Sequence, residues 1–221
     1  VKGATFKKNY ASVNGGALNN DGTFVSDGDL RFEENESGLN GGAVYNTSSG
    51  NFSVNGNATF IKNKSQDGSA LINFGTVTFG KTALFKENFS ETSVSDGTVW
   101  NKGIINFNGL AEFIDNTAYV TSGAIYNDVN GNVNFNAGAT FTSNTTGTSG
   151  GAVYNKGALN FNAGATFTGN SVTASSSRGG AIYNLGTLYF NGGDVRFDGN
   201  TSQHDGAAVY NAFGGVIHFK S

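Results

Sequence analysis

The sequence predicts an all-β fold, a right-handed parallel β-helix with three strands per coil and about eight coils of about 27 residues. Three observations support this prediction: the composition, an internal repeat and strand-like alternation. Of the 221 residues, 34 are Gly and 31 are Asn, and both types are poor helix formers. The 19 Phe and eight Tyr are too many aromatic residues for a disordered chain. We therefore expect residues 1–221 to form a single solenoid domain, and the lack of Met indicates a segment of a longer chain.

Three motifs follow one another along the whole chain. The second is small–Ala–aliphatic–aromatic–Asn, as in Gly151–Asn155, and the third is G-x-aliphatic-x-F, as in Gly157–Phe161. Each motif includes a short apolar run with period-2 alternation, which indicates a strand. A fixed period favours a coil in which each strand lies on its own copy, and parallel crossovers favour a right hand. The first motif, F-x-x-N, recurs at Phe6/Asn9, Phe32/Asn35, Phe60/Asn63, Phe85/Asn88, Phe113/Asn116, Phe141/Asn144, Phe167/Asn170 and Phe197/Asn200.

The alternation assigns the inward face of each strand. The aliphatic position of the second motif, such as Val44 or Ile125, is never polar and is expected to point inward. The Phe residues of the first and third motifs are expected to stack in the core. In particular, Phe141, Phe167 and Phe197 are expected to be almost fully buried in one column.

The recurring Asn residues are expected to have a structural role at the corners between strands. Asn tolerates the left-handed conformation and can bond its own turn. Stacked one coil above another, the amides can also form hydrogen-bonded ladders. The residues assigned to these ladders are Asn46, Asn101, Asn127, Asn155, Asn184 and Asn211 in one series, and Asn116, Asn144, Asn170 and Asn200 in the other.

These motifs carry a family resemblance. F-x-x-N paired with GGA-[ILV], seen at Gly41–Val44, Gly150–Val153 and Gly179–Ile182, resembles the repeat of the polymorphic outer membrane proteins. The resemblance implies a β-helical passenger that an autotransporter barrel carries to the bacterial cell surface, and several family members act as adhesins. It also implies an exported, extracellular location, with any membrane anchor outside this segment.

The residues do not predict catalysis. A net charge of −3 argues against nucleic-acid binding, and zero Cys excludes disulfides and thiolate metal sites. Glu33 and Glu34 lie in a turn, Asp194 and Arg196 are expected to form a surface pair, and His204 is expected to be structural or exposed, as is His218. We therefore expect no enzyme activity, catalytic residue, cofactor or metal. The chain also lacks an 18-residue apolar run, so it is not expected to insert into a membrane directly.

Two surfaces are candidates for binding. If the aliphatic residue of the second motif points inward, its aromatic neighbour points outward, and the stacked aromatics would form an exposed ladder flanked by a strip of Ala. Such a ladder could bind a partner or could only clamp the sheet, and both readings stay open. The second candidate is the pair of longest loops, 89–96 in the fourth coil and 171–179 in the seventh. The aromatic ladder consists of Tyr45, Trp100, Tyr126, Tyr154, Tyr183 and Tyr210.

These observations favour a non-enzymatic surface β-helix, an adhesin or autotransporter passenger that mediates attachment or self-association. Its expected partners are a host-cell receptor, a surface glycan or copies of itself. One alternative is a structural subunit that polymerises head to tail into an extracellular fibre, with the Phe6 coil of one molecule on the Phe219 coil of the next. The other alternative is a β-helix that binds or degrades polysaccharide.

Overall fold

The computed structural model describes residues 3–91 and 97–220, and strands are the only regular elements assigned within them. The chain winds into a parallel β-solenoid of eight coils, as the sequence predicts. Every strand pairs in parallel with the equivalent strand of the next coil, so that Phe32 lies beside Phe60 and Phe60 beside Phe85. The right hand of the winding stays a prediction.

Coils 1 to 7 pass through four sheets that we number I to IV in chain order, and the described strands of coil 8 belong to sheets I, III and IV. Sheet I holds the Phe of F-x-x-N, and sheet II follows the corner Asn. The strands of sheet I are Gly3–Lys7, Asp29–Glu33, Ala58–Ile61, Ala83–Lys86, Ala111–Ile114, Ala139–Thr142, Ala165–Thr168 and Val195–Asp198. Those of sheet II are Tyr10–Ala11, Glu36–Ser37, Lys64–Ser65, Phe89–Ser90, Thr117–Ala118, Thr145–Thr146 and Ser171–Val172.

Sheets III and IV complete each coil. Sheet III holds the second motif, and sheet IV holds the third. The strands of sheet III are Leu18–Asn20, Val44–Asn46, Leu71–Asn73, Val99–Asn101, Ile125–Asn127, Val153–Asn155, Ile182–Asn184 and Val209–Asn211. Those of sheet IV are Thr23–Ser26, Asn51–Val54, Thr76–Phe79, Ile104–Phe107, Asn132–Phe135, Ala158–Phe161, Thr187–Phe190 and Val216–Phe219.

The sequence predicts three strands per coil, and the structure has an additional short strand, which belongs to sheet II. Its strands are two residues long, as in Lys64–Ser65, so they contain too few residues to show a period-2 pattern. The inward residue of each pair is often polar, such as the buried Ser65, which removes the remaining apolar signal.

The core consists of two parallel stacks of Phe rings joined edge to face. In sheet I, Phe113 stacks on Phe141 at 4.9 Å between ring centroids, and Phe141 stacks on Phe167 at 4.8 Å. In sheet IV, Phe135 stacks on Phe161 at 4.8 Å, and Phe161 meets Phe167 edge-on at 5.7 Å. Because the ring spacing equals the spacing of paired strands, the rings keep stacking contact as the strands repeat.

Burial in the first Phe column is confirmed for two of the three expected residues. Phe141 and Phe167 are fully buried, whereas Phe197 is only half-buried. Phe197 stacks on Phe167 at 4.8 Å, but it lies in the last coil described and has no ring of a following coil on its other side. Phe219, in the same coil, is 71% exposed.

The expected outward strip of Ala is wrong. Ala43 and its equivalents Ala124 and Ala152 are fully buried in the core. The reason is a bulge-like step between coils, in which the Ala43 carbonyl accepts from the N–H groups of both Ala17 and Leu18. Two consecutive residues then oppose one acceptor, so alternation is interrupted and both the Ala and the following aliphatic residue face inward.

Phe167→Ala should lower the free energy of unfolding by about 3–5 kcal/mol, because the ring is fully buried between two stacked neighbours. Phe197→Ala is the matched control, since it removes the same side chain from the same column where the ring is half-buried. Urea unfolding followed by circular dichroism should show a clearly smaller loss for Phe197→Ala, and equal losses would contradict the assignment of the core.

Candidate interaction surface

The F-x-x-N corner is built on a left-handed residue in every coil. The residue directly before the Asn has a φ between 54° and 64° in all eight copies, from Lys8 through Asp115 and Ser143 to Gly169 and Gly199. This turn ends the strand of sheet I and directs the Asn side chain into the solenoid.

The corner Asn side chains form a continuous ladder, which is buried from Asn35 to Asn170. The Oδ1 atom of Asn144 accepts from the backbone N–H and the Nδ2 of Asn116, at 3.2 and 2.9 Å. Its own Nδ2 donates to Asn170 Oδ1 at 3.0 Å and to the Phe113 carbonyl at 2.9 Å. Asp has no amide donor, and Gln is one methylene longer, so the arrangement selects Asn. Asn170 is buried and bonds Asn200 in the same way.

A second ladder follows the corner between sheets III and IV. Asn127 Nδ2 donates to Asn155 Oδ1 at 2.8 Å and to the Ala158 carbonyl at 3.0 Å. The same amide-to-amide bond joins the other members of this series, which are Asn20, Asn46, Asn73, Asn101, Asn184 and Asn211. These side chains give the turn carbonyls a second donor, as at Gly131, whose carbonyl accepts from Asn127 Nδ2 and from the Ala158 N–H.

The GGA motif is explained by its position between sheets II and III. Its first residue is left-handed, as at Gly41 with a φ of 63°. A Cβ on the second residue, Gly42, would lie 2.2 Å from the Ser69 carbonyl oxygen of the next coil. The third residue, Ala43, is fully buried in the core, as is Thr98 at the equivalent position of coil 4.

Asn144→Ala should destabilise the solenoid by at least about 2 kcal/mol, because two donors of Asn116 would then be buried without an acceptor. The matched control is Asn162→Ala. Asn162 also bonds the amides of the coils on either side, Asn136 and Asn191, but it is exposed. Its loss should stay within about 0.5 kcal/mol in thermal or urea unfolding. Equal losses would show that the buried ladder has no special role.

The sequence analysis did not predict that outward Asn residues also form ladders. Asn134 bonds Asn106 at 2.9 Å and Asn160 at 3.0 Å on the face of sheet IV. These ladders could have been predicted from the recurrence of outward Asn residues at the coil spacing, because any Asn column at that spacing can bond from coil to coil.

The aromatic ladder lies on sheet III as a stack of rings. Tyr126 stacks on Tyr154 at 5.3 Å, Tyr154 on Tyr183 at 4.9 Å, and Tyr183 on Tyr210 at 5.1 Å. The ladder is less exposed than the sequence analysis expects. Tyr126 is buried, with 6% of its surface accessible, and Tyr45, Trp100, Tyr154, Tyr183 and Tyr210 are half-buried.

The parallel stacking of the aromatic ladder does not extend into the first coils. Coil 3 has the buried Ile72 at the aromatic position, and Phe74, which follows the ladder Asn, takes its place between Tyr45 and Trp100. Phe74 lies 5.6 Å from Tyr45 and 5.7 Å from Trp100. The rings there meet tilted or edge-on, so the regular stack begins at Tyr126.

Three cations that the sequence analysis missed lie over the ladder. Lys156 Nζ is 5.0 Å from the Tyr126 ring centre and 5.5 Å from that of Tyr154, and it also donates to the Tyr126 hydroxyl. Lys102 lies over Trp100 at 5.3 Å, and Arg178 lies over Tyr210 at 5.0 Å. The two Lys contacts could have been found from the motif Asn-Lys-Gly at 101–103 and 155–157, which places a Lys just after the ladder Asn. The contacts explain the partial burial and fix the rings.

Glu33 and Asp205 act in surface ion pairs. A hydrogen bond from Lys7 and a second from Arg31 hold the pKa of Glu33 below its usual range, and His204 and Arg178 do the same for Asp205. The lowered direction is opposite to the raised pKa that a general acid needs. The expected pair of Asp194 with Arg196 is wrong, since Arg196 bonds Asp198 at 2.7 Å, two residues along the same strand face.

The remaining candidate features are clusters of potential metal ligands and the two longest loops. Within residues 3–91 and 97–220, no group of three potential ligand side chains is close enough to hold a metal ion. Residues 92–96 of the fourth-coil loop lie outside the described residues. In the seventh-coil loop, Ser177 is buried, whereas Ser175 and Ser176 are exposed.

The fold and its corner ladders define the chain as a repeat-built parallel β-solenoid. The Chlamydia polymorphic membrane protein repeat matches it at four places, residues 29–47, 138–156, 164–185 and 194–220. Each match covers a sheet I strand with its F-x-x-N corner and the following sheet III strand. The chain is therefore similar to the polymorphic membrane protein repeat at these four places, and the resemblance of its motifs is confirmed. That repeat belongs to a family of non-enzymatic, surface-exposed proteins.

No curated protein and no solved structure matches the chain significantly. The described residues contain no helix with the length and apolar character needed to cross a bilayer.

Proposed function

We propose that this β-solenoid is the passenger segment of an exported surface protein and acts as a non-catalytic adhesin. The observation that carries the proposal is the stack of Tyr126, Tyr154, Tyr183 and Tyr210 on one face, crossed by cationic side chains. The polymorphic membrane protein repeat supports the surface location.

The ladder has the chemistry of an interface. Tyr and Arg are the residue types that most often dominate binding energy, because they combine a large apolar area with polar ends. Stacking at 4.9 Å between Tyr154 and Tyr183 holds these rings in one orientation before binding. A partner would therefore lose little additional side-chain entropy on the protein side. The partner classes are a host-cell receptor, a surface glycan or another copy of this chain.

Two variants separate binding from stability. Tyr154→Ser combined with Tyr183→Ser removes two half-buried rings from the middle of the stack, and it keeps the buried Tyr126 intact. Beads coated with this double variant should attach to cultured host cells about tenfold less than wild-type beads, as expected for the loss of two interface anchors. Its melting temperature should fall less than that of Phe167→Ala.

Tyr10→Ser is the matched control, because Tyr10 is 68% exposed in the first coil and lies in sheet II. It should leave both attachment and melting temperature unchanged. A double variant that melts much earlier but attaches normally would show that the ladder only clamps the sheet, and the adhesive role would be lost.

Head-to-tail polymerisation is a second candidate, favoured by apolar groups at both ends of the described solenoid. Phe219 is 71% exposed at one end, and Phe6, Phe24 and Leu30 line an open cavity of about 300 Å³ at the other. Light scattering over a concentration series tests it. Growth with concentration would support a fibre, and a strict monomer at high concentration would remove this candidate.

A further inference from the structure

A groove of about 480 Å³ runs across sheet II from coil 4 to coil 7. It spans three coil intervals, a length of about 14 Å. Its ten lining residues are five Thr, two Ala, one Gly, one Phe and one Tyr. None of these ten residues is charged, although 13% of the residues in the whole sequence are charged. The groove is distinct from the aromatic ladder, which lies on sheet III.

Two exposed aromatic side chains border the groove. Phe89, in coil 4, is 40% exposed, and Tyr119, which follows the sheet II strand of coil 5, is 62% exposed. Coil 6 has Gly147 next to Tyr119. A Cβ on Gly147 would lie 2.3 Å from the Tyr119 carbonyl oxygen, so only Gly fits.

The hydroxyl groups of the groove are held in place by the backbone. Thr146 and Thr148 both donate to the Val120 carbonyl at 2.7 Å. Thr145 Oγ1 lies 3.0 Å from the Ser171 hydroxyl. A hydroxyl that donates to a fixed carbonyl still has two lone pairs, so the half-buried Thr148 supplies an acceptor at a defined position, whereas Thr146 is buried and faces inward.

We infer that this groove binds a neutral saccharide chain. Phe89 and Tyr119 offer ring faces against which the C–H groups of a sugar ring can pack. The Thr hydroxyls pair with sugar hydroxyls, because each group both donates and accepts. A few well-placed polar groups on a largely apolar surface are the usual composition of a small-molecule site.

Other occupants fit less well. An acidic or sulfated polymer would need cations, and none lines the groove. An extended peptide adds to a free sheet edge, whereas the sheet II strands of coils 4, 5 and 6 are paired on both sides.

The test is calorimetric titration of the protein with neutral hexasaccharides of glucose, mannose, galactose and N-acetylglucosamine, and with a heparin hexasaccharide as the anionic probe. At least one neutral probe should bind. Tyr119→Ala and Phe89→Ala should each weaken that binding about tenfold, the loss expected for one stacked ring. Both side chains are exposed, and circular dichroism should confirm that the variants keep the fold.

Tyr10→Ala is the matched control, because Tyr10 is 68% exposed on the same sheet but lies in coil 1, outside the groove. It should keep the wild-type affinity. The inference would be overturned by no neutral binding at about 10 mM probe, by binding of heparin alone, or by an unchanged affinity in Tyr119→Ala. The Tyr154→Ser/Tyr183→Ser variant should keep saccharide binding, so failure of the groove and failure of the adhesive ladder give different results.

Discussion

The rest of this structure depends on the buried hydrogen bond between the Asn amides of successive coils. Each F-x-x-N corner Asn replaces the strand-to-strand backbone bond at the point where the chain must turn, because its Oδ1 accepts from the backbone N–H of the corner Asn one coil before. Asn116, for example, has its backbone N–H and its side-chain amide bonded to Asn144. Because the bond spans one coil, it fixes the register of both coils, and a shift by one residue would leave several buried groups unpaired.

This register makes the two aromatic systems possible. Phe rings stack inside at 4.7–4.9 Å along sheet I because equivalent residues are held one coil apart. The same spacing stacks the outward Tyr rings of sheet III. The outer faces are not needed for the core, so they can vary between coils and carry the ladder on sheet III and the groove on sheet II. The fold thus separates a constant interior from variable surfaces.

Features that lie within a single coil and recur in the next coils could be predicted from the sequence. The strands of sheets I, III and IV, their inward residues and the Asn corners follow from local alternation and the repeat. Sheet II could not, since two residues show no period. The inward Ala43 depends on a carbonyl acceptor shared between coils, and the half-burial of Phe197 depends on which coil covers it.

The surfaces were harder to predict. The contacts of Lys156 with the Tyr rings depend on how a long side chain is directed after its turn. The groove brings Phe89 and Tyr119 together from different coils, and no single repeat contains both. Such features depend on which residues occupy neighbouring coils, a relation that a single repeat does not show.

Hydrogen exchange of the assigned side-chain amides by NMR tests the central claim most directly. The Nδ2 protons of Asn88, Asn116 and Asn144 are buried between coils and should exchange as slowly as the backbone amides of the Phe strands. The exposed amide of Asn162 should exchange rapidly by comparison. Rapid exchange of all four side chains, with the strand amides still protected, would contradict the account, because the coils would then be held together without the Asn ladder.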